Sequence, residues 1–283
     1  MASPPLVSPA VIDLSAHLLH GLPGLTDAPP DLESALAMAR DIAEAGTTTV
    51  VATAALGSPD PALIGLADAA RTALAAAVRE EGFDLDILPG LELSLEAVAG
   101  LDDESLVQCT IGRGGRWLLV SLPDTGWPIA LPALMQSLEM RGLGIVIAHP
   151  ERCESVQLSP DRLRDPIGRG ALVQVDCSSF GGWHGARAER SAYGLLRAGM
   201  ANVLASGAHW DTPYPPGLEA GLLASEHVLR RTRAELMWMV ETGPSRIIAG
   251  EPVRSPPHGA GSPGRIRAGL DAPGCGQRGM GEG

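Results

Sequence analysis

The stretch Ala10-Val11-Ile12-Asp13-Leu14-Ser15-Ala16-His17 distinguishes between a closed β/α barrel and an open, doubly wound sheet. The rest of the chain allows both folds. Its apolar run Ala10–Leu14 predicts a buried first strand. An open, doubly wound nucleotide-binding sheet normally carries a glycine-rich phosphate loop after that strand. Because Ser15 and His17 follow here in place of glycines, we predict a closed β/α barrel in preference to the open sheet.

Outward from this stretch, short apolar runs alternate with segments of helical periodicity. The further apolar runs are Thr47–Thr53, Leu85–Leu88, Trp117–Leu122, Gly144–Ala148, Ala171–Val175 and Ala201–Ala205. The helical candidates are Leu32–Ala45, Pro61–Arg79, Leu131–Arg141, Asp161–Arg169, Ala186–Ala198 and Glu219–Val240. Near-continuous apolar strands are typical of a parallel sheet that is covered on both faces. The alternation therefore predicts an α/β fold, a (β/α)7 barrel of parallel strands with outer helices.

The chain divides into three parts by composition. Residues 1–9 form a short N-terminal extension, and residues 10–250 carry the alternating pattern of the barrel domain. In residues 251–283, fourteen of the 33 positions are Gly or Pro, and no apolar periodicity remains. We predict that this last segment is a disordered tail without a catalytic role.

Charge and cysteine content limit the possible partners and the compartment. The formal net charge of the 283 residues is −12, so we expect no binding to nucleic acid and no attraction to anionic membranes. No apolar stretch approaches the ~20 residues of a membrane span, so we expect no membrane insertion. The four cysteines have no paired spacing and the N-terminus carries no signal sequence, so we expect a reducing, cytoplasmic location.

Five residues able to bind metal lie just beyond the C-terminal ends of predicted strands, where β/α barrels build active sites. They are His17, Asp27, Glu92, His149 and His209. Imidazole and carboxylate ligands together suit Mn²⁺, Zn²⁺ or Fe²⁺. Considered singly, each could equally be a solvated loop residue, and the spacing alone does not choose between a metal site and solvated loops.

Several motifs resemble those of the PHP superfamily. The stretch Ile12–Leu19 resembles its Asp-x-His-x-His opening strand, and Val146–Arg152, VIAHPER, is nearly its IAHPER signature. The other matches are LPGLTDAP at Leu22–Pro29, VATA at Val51–Ala54, PGLE at Pro89–Glu92, VQVD (QVN in the family) at Val173–Asp176, ASGAH (ASDAH in the family) at Ala205–His209, and Pro215-Pro216. Together they cover about Ile12 to Ile248. Within the superfamily, the chain most resembles the CpsB/CapC type, bacterial manganese-dependent protein-tyrosine phosphatases that control capsule and exopolysaccharide synthesis.

This resemblance implies a PHP-type distorted (β/α)7 barrel and hydrolysis of phosphotyrosine. It implies Mn²⁺ or another divalent transition metal as the cofactor, with His17, Asp27, Glu92, His149 and His209 as ligands. It further implies that Arg152 contacts the phosphate, and that His149 or His209 either ligates metal or protonates the leaving group. The implied partner is a phosphotyrosine protein such as a bacterial tyrosine kinase, or a small aryl phosphate.

The sequence also departs from the family pattern. Ligand residues of the family are replaced here by Ser15, Ala55, Ser121 and Gly207, and Tyr214 stands in place of an Arg. A hydroxyl is a poor ligand for a divalent metal, and Ala and Gly offer no donor. We therefore expect weak metal binding and impaired phosphoesterase activity. The alternative is a catalytically inactive pseudophosphatase that acts as a binding or regulatory protein for a tyrosine kinase or a polysaccharide-export assembly.

Two other features bear on the chemistry. A cysteine-based tyrosine phosphatase needs an Arg six positions after its Cys, and none of the four cysteines meets this requirement. Trp183 and Trp210 border the expected mouth of the barrel. Their indole rings could stack on an aryl substrate or simply cover the end of the barrel, and the sequence leaves both open.

Overall fold

The computed structural model describes residues 10–25, 28–210, 212, 216–224, 226 and 232–253. All pairings between its named strands are parallel. The strands of the described residues are β1 (Ile12–Ala16), β2 (Thr49–Ala52), β3 (Ala55–Leu56), β4 (Asp86–Pro89), β5 (Glu92–Ser94), β6 (Trp117–Ser121), β7 (Gly144–Ala148), β8 (Leu172–Asp176) and β9 (Val203–Ala205).

These strands form a closed barrel with seven strand positions. The hydrogen-bonded orders are β1-β2-β4 and β3-β5-β6-β7-β8-β9, and β3 and β5 continue the directions of β2 and β4 after short breaks. The ring is completed between β1 and the segment after β9, where Ala16 bridges Ala208 and the His17 amide donates to the Ala208 carbonyl at 2.8 Å. The breaks after β2 and β4 make the barrel a distorted one. The predicted PHP-type (β/α)7 barrel is confirmed.

Helices cover the outside of the barrel. In chain order they are α1 (Leu32–Glu44), α2 (Pro61–Glu81), α3 (Leu95–Gly100), α4 (Asp103–Gln108), α5 (Leu131–Met140), α6 (Glu154–Leu158), α7 (Arg164–Gly168), α8 (Cys177–Phe180), α9 (Gly185–Arg197), α10 (Glu219–Leu223), α11 (Arg233–Met237) and α12 (Gly243–Ile248). Local sequence defines their ends. Asp31 caps α1 by accepting from the Ser34 amide at 2.8 Å, and α2 has Pro61 at its start and a left-handed Gly82 at its end.

All seven predicted strands are present, with shifts of one or two residues at most ends. The sequence analysis missed β3 and β5, which have two and three residues and are too short to show alternation. It also predicted one continuous helix over Glu219–Val240, which is wrong. Thr232 is in an extended conformation and forms a capping box with Glu235, so a new helix begins there.

Two apolar clusters hold the barrel together. The larger lies between the strands and the surrounding helices and includes Leu74, Leu93 and Leu118, which are fully buried. The smaller draws alternate residues from β1, β2, β6, β7, β8 and β9 and fills the inside of the barrel. Ile111 and Ile247 belong to this inner cluster, so the segments before β6 and in α12 pack against it.

The chain beyond α12 packs on the barrel for a few residues. The Trp117 indole Nε1 donates to the Glu251 carbonyl at 2.9 Å, and Val253 packs against the inner cluster. The predicted extension over residues 1–9, and residues 254–283 of the predicted tail, lie outside the described residues.

One expectation about membranes needs correction. Among the described residues, α2 has the length and apolar composition of a membrane-spanning helix, contrary to the expectation that no stretch comes close. In the barrel, α2 buries Ile64, Ala67, Leu74 and Val78 in the large apolar cluster. The buried residues of α2 thus pack against α1 and β4.

Candidate metal and phosphate site

Four of the five predicted ligand residues meet at the C-terminal end of the barrel. His17 directly follows β1, His149 directly follows β7, and His209 lies four residues after β9. Glu92 is the first residue of β5, beyond the end of β4. The fifth predicted ligand, Asp27, lies outside the described residues.

Glu92 is the centre of this cluster, because two imidazoles contact its carboxylate. His149 Nε2 lies 3.0 Å from Glu92 Oε1, and His17 Nε2 lies 3.5 Å from Oε2. The side chains of His17 and Glu92 are buried, and that of His149 is nearly so. The His209 ring stacks at a tilt against His17, with 4.1 Å between ring centroids. The sequence prediction that these four residues converge is therefore correct.

The pKa values of Glu92 and His149 shift in the directions expected of an ion pair. Burial alone raises the pKa of Glu92, but attraction to His149 and hydrogen bonds from His149 and His17 outweigh burial and hold it well below its usual value. Burial lowers the pKa of His149, and the neighbouring Glu92 carboxylate more than reverses this. Glu92 is thus a carboxylate, and His149 retains its proton more readily than a free histidine.

The backbone at His149 is strained. Its φ of 33° and ψ of 50° lie in the left-handed region, which non-glycine residues rarely adopt. The following Pro150 begins a 3-10 turn that ends at Arg152. This sharp turn directs both His149 and Arg152 toward the end of the barrel, and strain of this kind is common at functional sites.

Arg152 is held by groups from β8 and from the loop after it. Its Nη2 donates to Asp176 Oδ2 at 2.6 Å and contacts His184 Nε2 at 2.8 Å. The Ser178 hydroxyl lies 2.9 Å from the same His184 nitrogen. Burial, with a further contribution from the Arg152 charge, lowers the pKa of His184 to about 4. His184 is therefore a neutral imidazole that can accept a hydrogen bond from Arg152.

A second buried carboxylate lies behind Arg152. Glu151 Oε1 accepts from the Asp176 amide at 3.0 Å and from the Ser179 hydroxyl at 2.7 Å. Complete burial, together with the nearby Asp176 charge, raises the pKa of Glu151 to about 7. Glu151 thus couples the turn after β7 to the end of β8.

Asp13 links the first and last strands below the histidines. Its Oδ1 accepts from the amides of Ser15 and Ser206 at 3.2 and 3.0 Å. Burial raises the pKa of Asp13 to about 6. This carboxyl group fixes the strand that carries His17 to the strand that precedes His209.

No role was predicted from the sequence for Asp13, Glu151, Asp176 or His184. A signal was present, because Asp13 and Asp176 are charged residues within otherwise apolar strand runs. A charged residue in a buried strand must be paired or neutral, which marks it for attention. Its partners could not be identified, since they come from other strands.

The donor chemistry of the cluster fits a divalent transition metal. Three imidazoles and a carboxylate suit Mn²⁺, Zn²⁺ or Fe²⁺. However, within the described part of the chain no group of three or more His, Cys, Asp or Glu side chains is arranged to hold a metal ion. Two donor atoms bound at about 2.1 Å to one ion lie roughly 3 Å apart, so the His149–Glu92 and His17–Glu92 distances are compatible with ligation once an ion replaces the shared protons.

The positions at which the family motifs carry further ligands make local contacts. The Ser15 hydroxyl lies 3.4 Å from the Thr53 hydroxyl, and the Ser121 hydroxyl donates to the Leu93 carbonyl at 3.5 Å. Gly207 has a φ of 60°. Neither serine hydroxyl contacts the Glu92 cluster, so each is satisfied within the strand ends.

The two tryptophans at the mouth remain partly accessible. Trp183 is 47% exposed, and Trp210 lines a shallow pocket with Leu22, Leu25 and Pro29. The Trp183 side chain is therefore partly accessible to solvent.

Comparisons with known proteins agree on one family. Residues 11–243 match the family described as capsular polysaccharide synthesis, CpsB/CapC. The tyrosine-protein phosphatase YwqE of Bacillus subtilis is 26% identical over 205 residues, which are 70% of this chain and 77% of YwqE. CapC of Staphylococcus aureus is 25% identical over 138 residues, which are 49% of this chain and 53% of CapC.

A solved structure supports the same fold. It comes from work on YwqE of Bacillus subtilis and CpsB of Streptococcus pneumoniae, described as unique metal-dependent tyrosine phosphatases. The two chains superpose with a TM-score of 0.71 at 22% identity, covering 87% of this chain and 98% of the other.

Proposed function

Because the chain belongs to the CpsB/CapC capsular polysaccharide synthesis family, we propose that it is a metal-dependent phosphoesterase of the protein-tyrosine-phosphatase type. The substrate is phosphotyrosine in a protein, such as a bacterial tyrosine kinase, or a small aryl phosphate. The cofactor is Mn²⁺ or a similar divalent ion. The setting is cytoplasmic regulation of capsule or exopolysaccharide synthesis.

One observation carries the proposal. Glu92 is contacted by His17 and His149 at the C-terminal end of the barrel, and the Arg152 guanidinium lies in the turn that starts at His149. A mixed set of imidazole and carboxylate beside a guanidinium is the combination required to bind a cation and a phosphoryl group together. The barrel positions this set at the face where β/α barrels carry out chemistry.

The residues of the site have distinct roles in this proposal. His17, Glu92, His149 and His209, with Asp27, would hold the ion, and Arg152 would orient the phosphoryl oxygens. When bound, a divalent ion supplies positive charge to those oxygens and lowers the pKa of water. His209 stacks on His17 beside the cluster. Whichever of His149 and His209 does not ligate the ion would protonate the leaving group.

The activity is expected to be low. Ser15, Ala55, Ser121 and Gly207 stand where the family motifs carry ligands, so each ion has fewer protein donors. An ion must also displace the proton that His149 shares with Glu92. If metal binding contributes several kcal/mol to transition-state stabilisation, its loss lowers the rate by roughly 10³-fold.

The test is hydrolysis of p-nitrophenyl phosphate and of a phosphotyrosine peptide, with and without Mn²⁺. We expect slow, Mn²⁺-dependent turnover that a chelator removes and that Glu92→Gln abolishes. The matched control is Glu96→Gln, because Glu96 is an exposed glutamate in α3. Turnover that is equal in the Glu92 and Glu96 variants would contradict the proposal.

A second candidate function is that of an inactive binding protein. The observation in its favour is that Ser15, Ala55, Ser121 and Gly207 leave fewer metal donors around Glu92 than the family motifs carry. Such a protein would bind a phosphotyrosine peptide without releasing phosphate. Tight peptide binding combined with no Mn²⁺-dependent turnover would favour this second function.

A further inference from the structure

Gly207 lies directly against a charged side chain. Gly207 follows β9 and has a φ of 60°, so its backbone is left-handed. A Cβ atom added there would overlap the carboxylate of Asp176 and would lie 2.9 Å from the Asp176 Cβ. The Asp176 carboxylate thus occupies the place where a side chain at position 207 would begin.

The Asp176 carboxylate is buried and contacts two neighbouring side chains. Asp176 is the last residue of β8 and has no exposed surface. Its Oδ2 accepts from Arg152 Nη2 at 2.6 Å, and its Oδ1 lies 3.5 Å from Gln174 Nε2. A buried carboxylate and a buried guanidinium require each other, because either charge alone would be costly to bury.

The sequence shows a matching exchange at the same two positions. In the motif that VQVD resembles, Asn stands at position 176, and in the motif that ASGAH resembles, Asp stands at position 207. Here position 176 carries the carboxylate and position 207 carries none. Relative to the family motifs, the carboxylate is lost at position 207 and gained at position 176. Side chains at these two positions would overlap.

We propose that Asp176 has replaced the carboxylate missing at position 207, and that this relocated carboxylate is the positioning residue that holds Arg152. The role of Arg152 rests on the proposed function, whereas the exchange between the two positions does not. The residue at 207 must then be glycine, because Asp176 fills its side-chain space.

Asp176 and His184 together determine the orientation of the Arg152 guanidinium. Asp176 contacts Nη2 from the end of β8, and His184 approaches the same nitrogen from the loop after it. A guanidinium fixed in this way loses little conformational entropy when it binds a phosphoryl group. The charge of Asp176 by itself acts in the opposite direction, because a carboxylate repels phosphate. Positioning and simple electrostatics therefore predict opposite effects of this carboxylate on phosphate affinity.

The exchange is tested first by thermal unfolding, which needs no activity. Gly207→Ala and Gly207→Asp should each lower the melting temperature by roughly 5 °C or more, because the new side chain overlaps Asp176. Asp176→Ala alone leaves Arg152 without its partner and is destabilising, but combined with either variant it should cost less than the sum of the two single substitutions, because the overlap is then gone. Gly142→Asp is the matched control, since Gly142 also has positive φ (77°) but has nothing within 4 Å of an added Cβ. If Gly207→Asp costs no more than Gly142→Asp, or if its effect and that of Asp176→Ala are simply additive, the exchange is wrong.

The positioning role is tested by the dissociation constant for inorganic phosphate, measured calorimetrically on two double variants. Asp176→Ala/Gly207→Asp returns a carboxylate beside Arg152 from the other strand, and Asp176→Ala/Gly207→Ala relieves the same overlap without a carboxylate. We expect phosphate to bind roughly tenfold more tightly to the first, because a charge-assisted hydrogen bond holds the guanidinium. Equal or weaker binding to the first would overturn the positioning role. If Asp176→Ala does not fold, Asp176→Ser serves in the same comparisons.

Neither measurement depends on turnover. Failure of the phosphatase assay with a positive unfolding result would refute the proposed function and leave the exchange intact. Normal turnover, together with melting temperatures that show no interaction between substitutions at positions 176 and 207, would refute the exchange and leave the proposed function intact.

Discussion

Glu92 is the residue on which the candidate site depends, since its carboxylate joins β5 to the turns after β1 and β7. We predict that Glu92→Gln lowers the free energy of unfolding by about 3 kcal/mol, because removing one partner of a buried charge pair leaves His149 without its counter-charge. Urea unfolding near pH 6 measures this change. Glu96→Gln, on the exposed face of α3, should change the free energy by less than about 0.5 kcal/mol. Equal effects of the two substitutions would show that the contacts of Glu92 contribute little.

Glu151 should make stability depend on pH. Its pKa is raised from 4.5 to about 7, so between these pH values the folded chain binds a proton that the unfolded chain has lost. Stability should therefore fall as pH rises from 5 to 8, by up to about 3 kcal/mol from this group. In Glu151→Gln the decline should be smaller but not absent, since the raised pKa of Asp13 acts in the same direction. Urea unfolding across this pH range compares the two proteins, and identical slopes would contradict the assignment.

At the scale of residues, the cluster around Glu92 could be predicted from the sequence, but the buried carboxylates that support it could not. His17, Glu92, His149 and His209 could be predicted because each follows a strand run at the same end of the barrel. Asp176 and Glu151 could not be given roles, since their contacts depend on how closely β7, β8 and β9 approach one another. Periodicity determines which face a residue occupies, but not which side chain lies opposite.

At the scale of elements, the sequence predicted the long segments and missed the interruptions. The seven apolar runs correspond to strands because each has enough apolar residues to be buried on both sides. The breaks between β2 and β3 and between β4 and β5 were not predictable from periodicity. They arise where the barrel departs from a regular cylinder, and the second of them places Glu92 at the start of its own short strand.

The contact between the turn before β6 and the end of α12 gives an element-scale prediction. A Cβ on Gly114 would overlap the backbone at Ile248 and Gly250, so the two segments meet backbone to backbone. We predict that Gly114→Ala destabilises the protein by about 2 kcal/mol, measured by urea unfolding. Gly65→Ala is the control, because Gly65 is exposed in α2 with nothing within 4 Å of an added Cβ. It should stabilise the protein by roughly 0.5–1 kcal/mol, and a loss of stability there would undermine the comparison.

For the molecule as a whole, we predict from the sequence composition that the folded domain ends near Val253. Ending the chain at Val253 should leave the melting temperature unchanged, because the Gly/Pro-rich composition beyond it predicts little buried surface. Ending it at Ala249 removes the carbonyl that accepts from the Trp117 indole and the Val253 side chain. That loss should cost about 1–3 kcal/mol and lower the melting temperature by several degrees. Equal melting temperatures for the two truncations would contradict this boundary.

The barrel as a whole could be predicted, whereas the state of its site could not. Alternating elements and the family motifs lead to a closed barrel with donors at one end. Whether those donors face one another or a cation depends on distances of a few tenths of an ångström around Glu92, which no pattern encodes. The contacts of His17 and His149 with Glu92 are therefore the feature that experiment must address.

The most direct measurement is calorimetric titration of metal-free protein with Mn²⁺, in the wild type and in Glu92→Gln. We predict weak but saturable binding to the wild type, because the donor set fits the ion but lacks the donors replaced at Ser15, Ala55, Ser121 and Gly207. The Glu92→Gln variant should show no saturable binding. No saturable binding to either protein would contradict a metal-dependent function and favour the inactive binding protein.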